Sequence, residues 1–542
     1  MSTWNFADAY EAIAAKVPNS PCQIQGDRVF TWADFDRRTN RLAADMIDAG
    51  LTKQSKVAAY LYNCPEYLET YVGAFKGGFA PANTNYRYGP DEVWYLFDNA
   101  DAEAVVFHAT FGQLLDGIRD RLPQVKRWYC VADGTASTPS WAVDYDLVVD
   151  GENPGPIRPQ WGRTPDDLLL LYTGGTTGMP KGVMWHQDDL FNVVGAGGNA
   201  VIGIPPSTSI EELASRPDPN TPGLVVLPAC PLMHGTGQFT SLIALNAGGS
   251  VVTLSSRQFD VHELLGAVEK HRVQILVIVG QAFAGPILDA LEADPNRYDL
   301  SSLIMITSSG VMWSQENKAG LLTHIPHVIL FDSFGSSEAV GMGGSVSTAG
   351  VASETAKFTL GPTCAVFTED GRRVEPGSGE RGLVAVGGFI PLGYYRDEAK
   401  SAQTFRVFEG QRWSVPGDWA EILADGTLVL LGRGSVCINT GGEKVFPEEV
   451  EEELKRHPSV RDAVAVGIPD SRFGETICAV VEAEPGQEPT LEVLSAHVKS
   501  RLAAYKAPRH LVTIDSIGRA PNGKVDYKRL KTMALDHLGL SS

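Results

Sequence analysis

The stretch Tyr172-Thr173-Gly174-Gly175-Thr176-Thr177-Gly178-Met179-Pro180-Lys181-Gly182 packs three threonines, four glycines and one lysine into a short turn. Glycines let backbone N–H groups approach an anion closely, threonine hydroxyls donate to its oxygens, and the lysine supplies positive charge. Together they fit a phosphate better than they fit a plain surface loop. A Walker A loop fails on detail. That motif has Gly before the Lys and Ser or Thr after it, opening a helix; here Pro180 precedes Lys181 and Gly182 follows. A second glycine cluster, Gly195-Ala196-Gly197-Gly198-Asn199-Ala200, matches a dinucleotide fingerprint in spacing. It leads into a Pro/Ser-rich loop where that fold requires a helix, so it reads as close packing.

The elements that position this loop follow from apolar patterning. Residues 31–106 alternate short apolar strands with helical spacing: a helix over 42–49 stopped by Gly50, a strand over 57–61, a helix over 67–75 stopped by Gly77-Gly78. This βαβα rhythm predicts α/β layering. A loop-rich stretch over 133–164 joins two subdomains. Beyond it, near-continuous apolar runs at 168–172, 273–279, 303–306 and 328–330 predict strands buried on both faces. After Gly377 the texture shifts to short alternating segments with many glycines, which suggests a smaller antiparallel unit. A last block, beginning near Gly434, has its own pattern: helix 447–457, strands 463–467 and 476–482, helix 491–502, strand 510–514. The expected class is therefore α/β, with an N-terminal domain over 1–433 and a C-terminal α+β domain over 434–542.

Size and charge narrow the function. The chain's 542 residues exceed one ordinary core. Lys plus Arg number 45 against 65 Asp plus Glu, a formal net charge of −20. Nucleic acid is an unsuitable partner for such a surface, because phosphate backbones need a basic face. A polyanionic nucleotide must then be met by a few placed cations and backbone dipoles. Seven scattered cysteines, none at CxxC spacing, offer no disulfide framework and no zinc site. The first seventeen residues read as an amphipathic helix and not a leader, and no apolar run has the length and continuity of a spanning helix. A soluble cytoplasmic protein is expected, with no transmembrane segment; a homo-oligomer is left open.

The loop from Thr173 to Lys181 resembles the signature of the adenylate-forming superfamily, which contains acyl-CoA synthetases, luciferases and peptide-synthetase adenylation domains. Further matches follow in that family's order: Ser309-Gly310-Val311, Phe334-Gly335-Ser336-Ser337-Glu338, Gly393-Tyr394-Tyr395, Pro416-Gly417-Asp418, Gly432-Arg433, Gly441-Gly442-Glu443-Lys444-Val445-Phe446-Pro447, Arg472-Phe473-Gly474-Glu475 and Pro521-Asn522-Gly523-Lys524. The resemblance spans nearly the whole chain. It implies a large N-terminal domain, a small mobile C-terminal domain and a site between them. ATP and coenzyme A are the implied cosubstrates and Mg²⁺ the implied metal.

Roles carry over residue by residue. The nucleotide is expected at Thr173, Gly174, Gly175, Thr176, Thr177, Gly178, Gly310, Val311, Asp332, Ser333, Phe334, Gly335, Ser336, Ser337, Asp418 and Arg433. Within that set the resemblance stacks Phe334 on adenine, turns Asp332 to the adenine amino group, and puts Ser337, where Thr is usual, on the α-phosphate. Asp418 is expected to grip the ribose hydroxyls, for which a carboxylate is a natural acceptor. Glu338, with Thr173, is expected to hold Mg²⁺, which takes few protein oxygens and shares the rest with phosphate. Lys181, Lys524 and Glu338 are the expected catalytic groups, Lys524 swinging in for the first half-reaction. Gly441, Gly442 and Glu443 are expected beside the pantetheine arm of coenzyme A. Ser435 and Val436 stand where a charged hinge pair is common. His234, Gly235, Gln281 and Ser309 are expected around the acid. That region is apolar and small, with no carboxylate for a substrate amine, so an apolar acid is favoured: a medium- or long-chain fatty acid, or a bulky one such as a sterol side-chain acid. Transfer to a carrier protein's phosphopantetheine arm and nucleotide binding without chemistry remain the alternatives.

Overall fold

The computed structural model describes residues 4–173, 179–311, 313–433, 438–440, 443–470, 474–502, 504–520 and 525–540. The chain divides into two compact units, Met1–Thr355 with Val386–Ser414, and Ala356–Ala385 with Val415–Ser542.

The first unit is built on two sheets. One runs in the order Arg28–Thr31, Pro21–Gln25, Ser250–Thr253, Val225–Pro228, Ile275–Ile278, Met305–Ser309, Ile329–Phe334, Gly343–Ser347. From Pro21–Gln25 through Ile329–Phe334 every pairing is parallel. Its core strands are the near-continuous apolar runs seen in the sequence, and Ile275, Leu276, Val277 and Ile278 are all buried, as parallel strands covered on both faces must be. Crossover helices Gly235–Asn246, Val261–His271, Gln281–Ala293 and Gln315–His324 connect them. The second sheet runs Gly393–Tyr394, Lys181–His186, Leu168–Thr173, Ala80–Asn83, Lys56–Tyr60, Ala102–His108, Arg127–Val131, Val143–Asp144. Helices Trp32–Asp48 and Pro65–Gly77 carry the predicted rhythm; a Thr31–Asp34 capping box starts the first, and Gly78 at φ 69° ends the second. The stretch read as loop, 133–164, contains the short strand Val143–Asp144 and the helix Tyr145–Val149. A two-residue strand and a helix of little more than one turn are too short for periodicity to show them.

The second unit opens with antiparallel strands: Thr427–Arg433 and Asp418–Ile422 fall after Gly377 as expected and pair with each other, whereas Lys357–Leu360, which pairs with Thr427–Arg433, begins before the expected onset. Its C-terminal part is a sheet whose strand Gly474–Ala483 lies between Val460–Asp470, antiparallel, and His510–Ile514, parallel. The pleat sorts its residues. Ala463 and Ala465 pack with helices Pro447–Lys455 and Leu491–Arg501, while Val464, Val466 and Ile468 pack with helix Tyr527–His537. The sequence pattern predicted five of these elements. It left out strands Ile438–Thr440 and Glu443–Val445 and the helix Tyr527–His537, the strands being too short to show alternation. No helix among the described residues is long and apolar enough to cross a membrane.

Candidate active site

The phosphate-loop lysine begins a strand. Lys181 pairs directly with Thr173 across the antiparallel strands Leu168–Thr173 and Lys181–His186, so the loop between them closes a strand pair, unlike the strand-to-helix turn of a Walker motif. Gly174, Gly175, Thr176, Thr177 and Gly178 lie outside the described residues. Lys181 is ion-paired with Asp397, the N-cap of helix Glu398–Thr404, whose carboxylate also accepts from Lys400 N at 2.9 Å. The Lys181 hydrogen bond is the chief reason that the Asp397 carboxyl lies below its ordinary range.

Tyr394 lies beside this pair, opposite Val183 in the adjoining strand, and its hydroxyl donates to Glu338 Oε1 at 2.9 Å. The loop carrying Glu338 is held twice more: Trp185 Nε1 donates to Ser337 O at 3.1 Å, and Ser414 Oγ to Glu338 O at 2.6 Å. Lys181 and Glu338 are thus held by neighbouring strands of one sheet. Asn83, fully buried, adds another tie, donating to Tyr172 O at 2.8 Å and Met233 O at 2.7 Å. It fastens the end of the phosphate strand to the turn that leads into His234.

The remaining first-unit residues collect at one edge of the parallel sheet. His234 caps helix Gly235–Asn246, Gln281 opens helix Gln281–Ala293, Ser309-Gly310-Val311 leaves strand Met305–Ser309, and Phe334 ends strand Ile329–Phe334 before Gly335, Ser336, Ser337 and Glu338. This is the carboxyl edge of parallel strands, where ligands of open α/β sheets bind. The two helix N-termini there favour negative charge. Gly310, at φ 91°, takes a backbone turn that only glycine adopts without strain. Ser308 and Ser309 stand opposite Asp332 and Ser333 in register. Ser336 Oγ is buried without a hydrogen-bond partner inside the chain, and an orphaned hydroxyl of that kind at a ligand edge suits a phosphate oxygen.

Asp332 is buried and faces Lys318 of helix Gln315–His324, Oδ2 to Nζ 3.1 Å. Burial pushes its pKa up to about 6, with Lys318 pulling the other way. Lys318 also donates to Ser353 Oγ at 3.2 Å.

In the second unit Asp418, 5% exposed, stands directly opposite Arg433 across paired strands. The register therefore brings together two residues that the motifs placed fifteen positions apart. The side chains of Arg433 and Glu443, and the whole of Ser435, Val436, Gly441, Gly442 and Lys524, lie outside the described residues. Among the described residues no group of three or more His, Cys, Asp or Glu is placed to hold a metal. The glycines 195–198 are close packing, as read: a Cβ on Gly198 would lie 2.6 Å from Pro205. Asn83, Lys318 and Asp397 went unread in the sequence. Each is a lone polar residue whose partner is distant in the chain, so spacing carries no sign of it.

A family profile described as AMP-binding enzyme matches residues 10–395, and one described as the AMP-binding enzyme C-terminal domain matches residues 449–524. Over 535 residues the chain is 40% identical to a medium/long-chain-fatty-acid–CoA/3-oxocholest-4-en-26-oate–CoA ligase of Mycolicibacterium smegmatis, covering 97% of this chain and 96% of that protein. It is 40% identical to a 3-oxocholest-4-en-26-oate–CoA ligase of Rhodococcus rhodochrous, covering 97% and 95%. Among solved structures it is similar in fold to an anthranilate CoA ligase in complex with anthranoyl-AMP, with TM-score 0.83, 20% identity, and 100% and 99% of the two chains covered.

Proposed function

This chain belongs to the AMP-binding enzyme family, and from that premise we propose that it joins a medium- or long-chain fatty acid, or a bulky lipid-like acid, to coenzyme A. It is an AMP-forming acyl-CoA synthetase. ATP and the acid give an acyl-adenylate and pyrophosphate, and the coenzyme A thiol then displaces AMP. The observation that carries this reading is Tyr394, which is paired into the sheet beside the Lys181 strand and holds Glu338. It sets a cation and a carboxylate on one scaffold at the edge where the acid and nucleotide loops emerge.

A carboxylate is a poor electrophile because its two oxygens share a full negative charge. Adenylation gives it a leaving group. Lys181 neutralises phosphate charge, and the N-termini of helices Gly235–Asn246 and Gln281–Ala293 favour anionic oxygens beside His234 and Gln281. Phe334 and Asp332 meet the adenine, Ser336 and Ser337 meet phosphate oxygens, and Asp418 with Arg433 meets the ribose. Lys524 bridges the attacking carboxylate and the α-phosphate. Glu338, its Oε1 held by the Tyr394 hydroxyl, and Thr173 are the residues that would hold Mg²⁺, which takes few protein oxygens and would share the rest with phosphate. When bound, Mg²⁺ supplies further charge neutralisation on the phosphates. Movement of the domain beginning near Gly434 withdraws Lys524 and brings Gly441, Gly442 and Glu443 to the pantetheine arm. The acid class is supported by the relatives' activities.

The test is an incubation with ATP, Mg²⁺ and a panel of acids, with and without coenzyme A. The panel holds octanoate, dodecanoate, palmitate and 3-oxocholest-4-en-26-oate. AMP and pyrophosphate with an acyl-CoA product are expected for one or more of them. ADP, or hydrolysis independent of the acid, would overturn the reading.

A further inference from the structure

Strand Ile329–Phe334 alternates in burial as its pleat requires: Leu330, Asp332 and Phe334 are buried, whereas Ile329, Phe331 and Ser333 are partly exposed. Asp332 therefore shares a face with Phe334, two residues before the strand ends. A carboxylate on a buried face is costly unless it is paired. The charged group that faces it is Lys318 of helix Gln315–His324, which approaches Oδ2 at 3.1 Å. Oδ1 has no hydrogen-bond partner among the described residues. The flanking strands set uncharged hydroxyls beside it, Ser308 on one side and Ser345 on the other. Ser308 Oγ is already engaged, accepting from Gly280 N at 2.9 Å.

Lys318 is itself held in place. Its ammonium donates to Ser353 Oγ at 3.2 Å and lies 5.7 Å from the centroid of the Trp313 ring. Ser353 is fixed in turn, its N donating to Ser347 Oγ at 2.9 Å. Joining helix to strand does not call for such a pair. Leu321 and Leu322 already give the helix buried apolar surface, and apolar residues of similar volume are often as stabilising as a buried ion pair. What the pair does control is the chemistry of Oδ1. An ionised carboxylate only accepts hydrogen bonds, whereas a protonated one also donates. At position 6 of a purine an amino group donates and an oxo group accepts. Burial pushes Asp332 towards the protonated form, with a pKa up to about 6, and Lys318 works against it.

We propose that Lys318 is a positioning residue for the choice of nucleotide: by keeping Asp332 an ionised acceptor, it selects the 6-amino purine of ATP against 6-oxo purine nucleotides. The proposal rests on the function argued above, in which Phe334 and Asp332 meet the adenine. Its test is nucleotide–pyrophosphate exchange by the full-length chain, with the panel acid turned over fastest. ATP is compared with inosine triphosphate, which carries an oxo group in place of the 6-amino group. The readout is the ratio of kcat/KM for the two nucleotides, from which effects common to both cancel, partial unfolding included.

Between pH 7.5 and 5.5 the ratio of ionised to protonated Asp332 falls about a hundredfold, so the wild-type preference for ATP is expected to fall about ten- to a hundredfold. Lys318→Met is expected to show, already at pH 7.5, a preference at least about tenfold weaker than that of the wild type. Asp332→Asn presents an amide that both donates and accepts, so its preference is expected to be weak and to change less than about twofold over the same range. Should Lys318→Met fail to fold, the wild-type pH profile and Asp332→Asn carry the test. A wild-type ratio constant across that range, a wild-type ratio in Lys318→Met at pH 7.5, or an unchanged pH dependence in Asp332→Asn would each overturn the proposal. No exchange with ATP for any acid of the panel would overturn the functional reading instead, which keeps the two failures apart.

Discussion

Lys181 begins a strand with its charge already engaged by Asp397, and incoming phosphates must compete for it. The pair is partly exposed, at 36% and 26% of the two side chains, where such pairs are worth about 0.2–1 kcal/mol. Removing the competitor is therefore a modest gain: Asp397→Asn is expected to lower the KM for ATP about two- to fivefold with kcat little changed, in steady-state kinetics at saturating acid. Lys181→Ala removes the cation itself and should cost about 10²–10³ in adenylation, the scale of losing one charge-stabilising group. A rise in ATP KM for Asp397→Asn would show that the carboxylate serves the nucleotide and does not restrain the lysine. The motif made Lys181 readable from its neighbours in the chain. Asp397 was unreadable because it lies 216 residues away and meets Lys181 only in the folded unit.

Strand Ile329–Phe334 and helix Gln315–His324 meet through Lys318 and Asp332, both nearly fully buried. Breaking a buried pair leaves one charge without its partner, at about 3–5 kcal/mol. Lys318→Met should lower the thermal midpoint sharply, and Lys318→Met with Asp332→Asn should recover most of the loss. If the double variant is no better than the single, packing and not charge holds these elements together. The pair also gives a pH dependence. Folded Asp332 keeps its proton up to about pH 6, whereas an unfolded aspartate releases it near 3.9. Between those values the folded state binds more protons, so this group's contribution to stability falls as pH rises from about 4 to about 6. Wild type measured against Asp332→Asn at pH 4.5 and 6.5 should lose ground at the higher pH, by about 2 kcal/mol or less. Strand Ile329–Phe334 was legible because buried parallel strands are apolar nearly throughout. Lys318 lay hidden in a helix of ordinary polar texture, where it reads as solvated.

The whole molecule carries 45 basic against 65 acidic residues, so ATP binding depends on a handful of placed cations, and one of these, Lys524, is proposed to serve the first half-reaction alone. Lys524→Ala should lower ATP–pyrophosphate exchange about 10²–10³-fold yet still convert supplied acyl-adenylate to thioester within a few-fold of the wild type. Equal loss of both half-reactions would contradict a reaction run in two postures. By itself, the sequence determined the class of fold, three strands of the parallel sheet (Ile275–Ile278, Met305–Ser309 and Ile329–Phe334) and the family, because each is written in local spacing or in an ordered set of short motifs. Tertiary structure alone decided that Thr173 faces Lys181, that Tyr394 holds Glu338, that Asn83 ties the phosphate strand to the turn before His234, and that Arg519 meets Asp462 of strand Val460–Asp470 while Tyr527 meets Glu451 of helix Pro447–Lys455. The reason is physical. Periodicity and motifs record what a residue's neighbours in the chain demand, whereas a hydrogen bond between side chains tens or hundreds of residues apart is fixed only when sheet register and helix packing bring them within 3 Å or so.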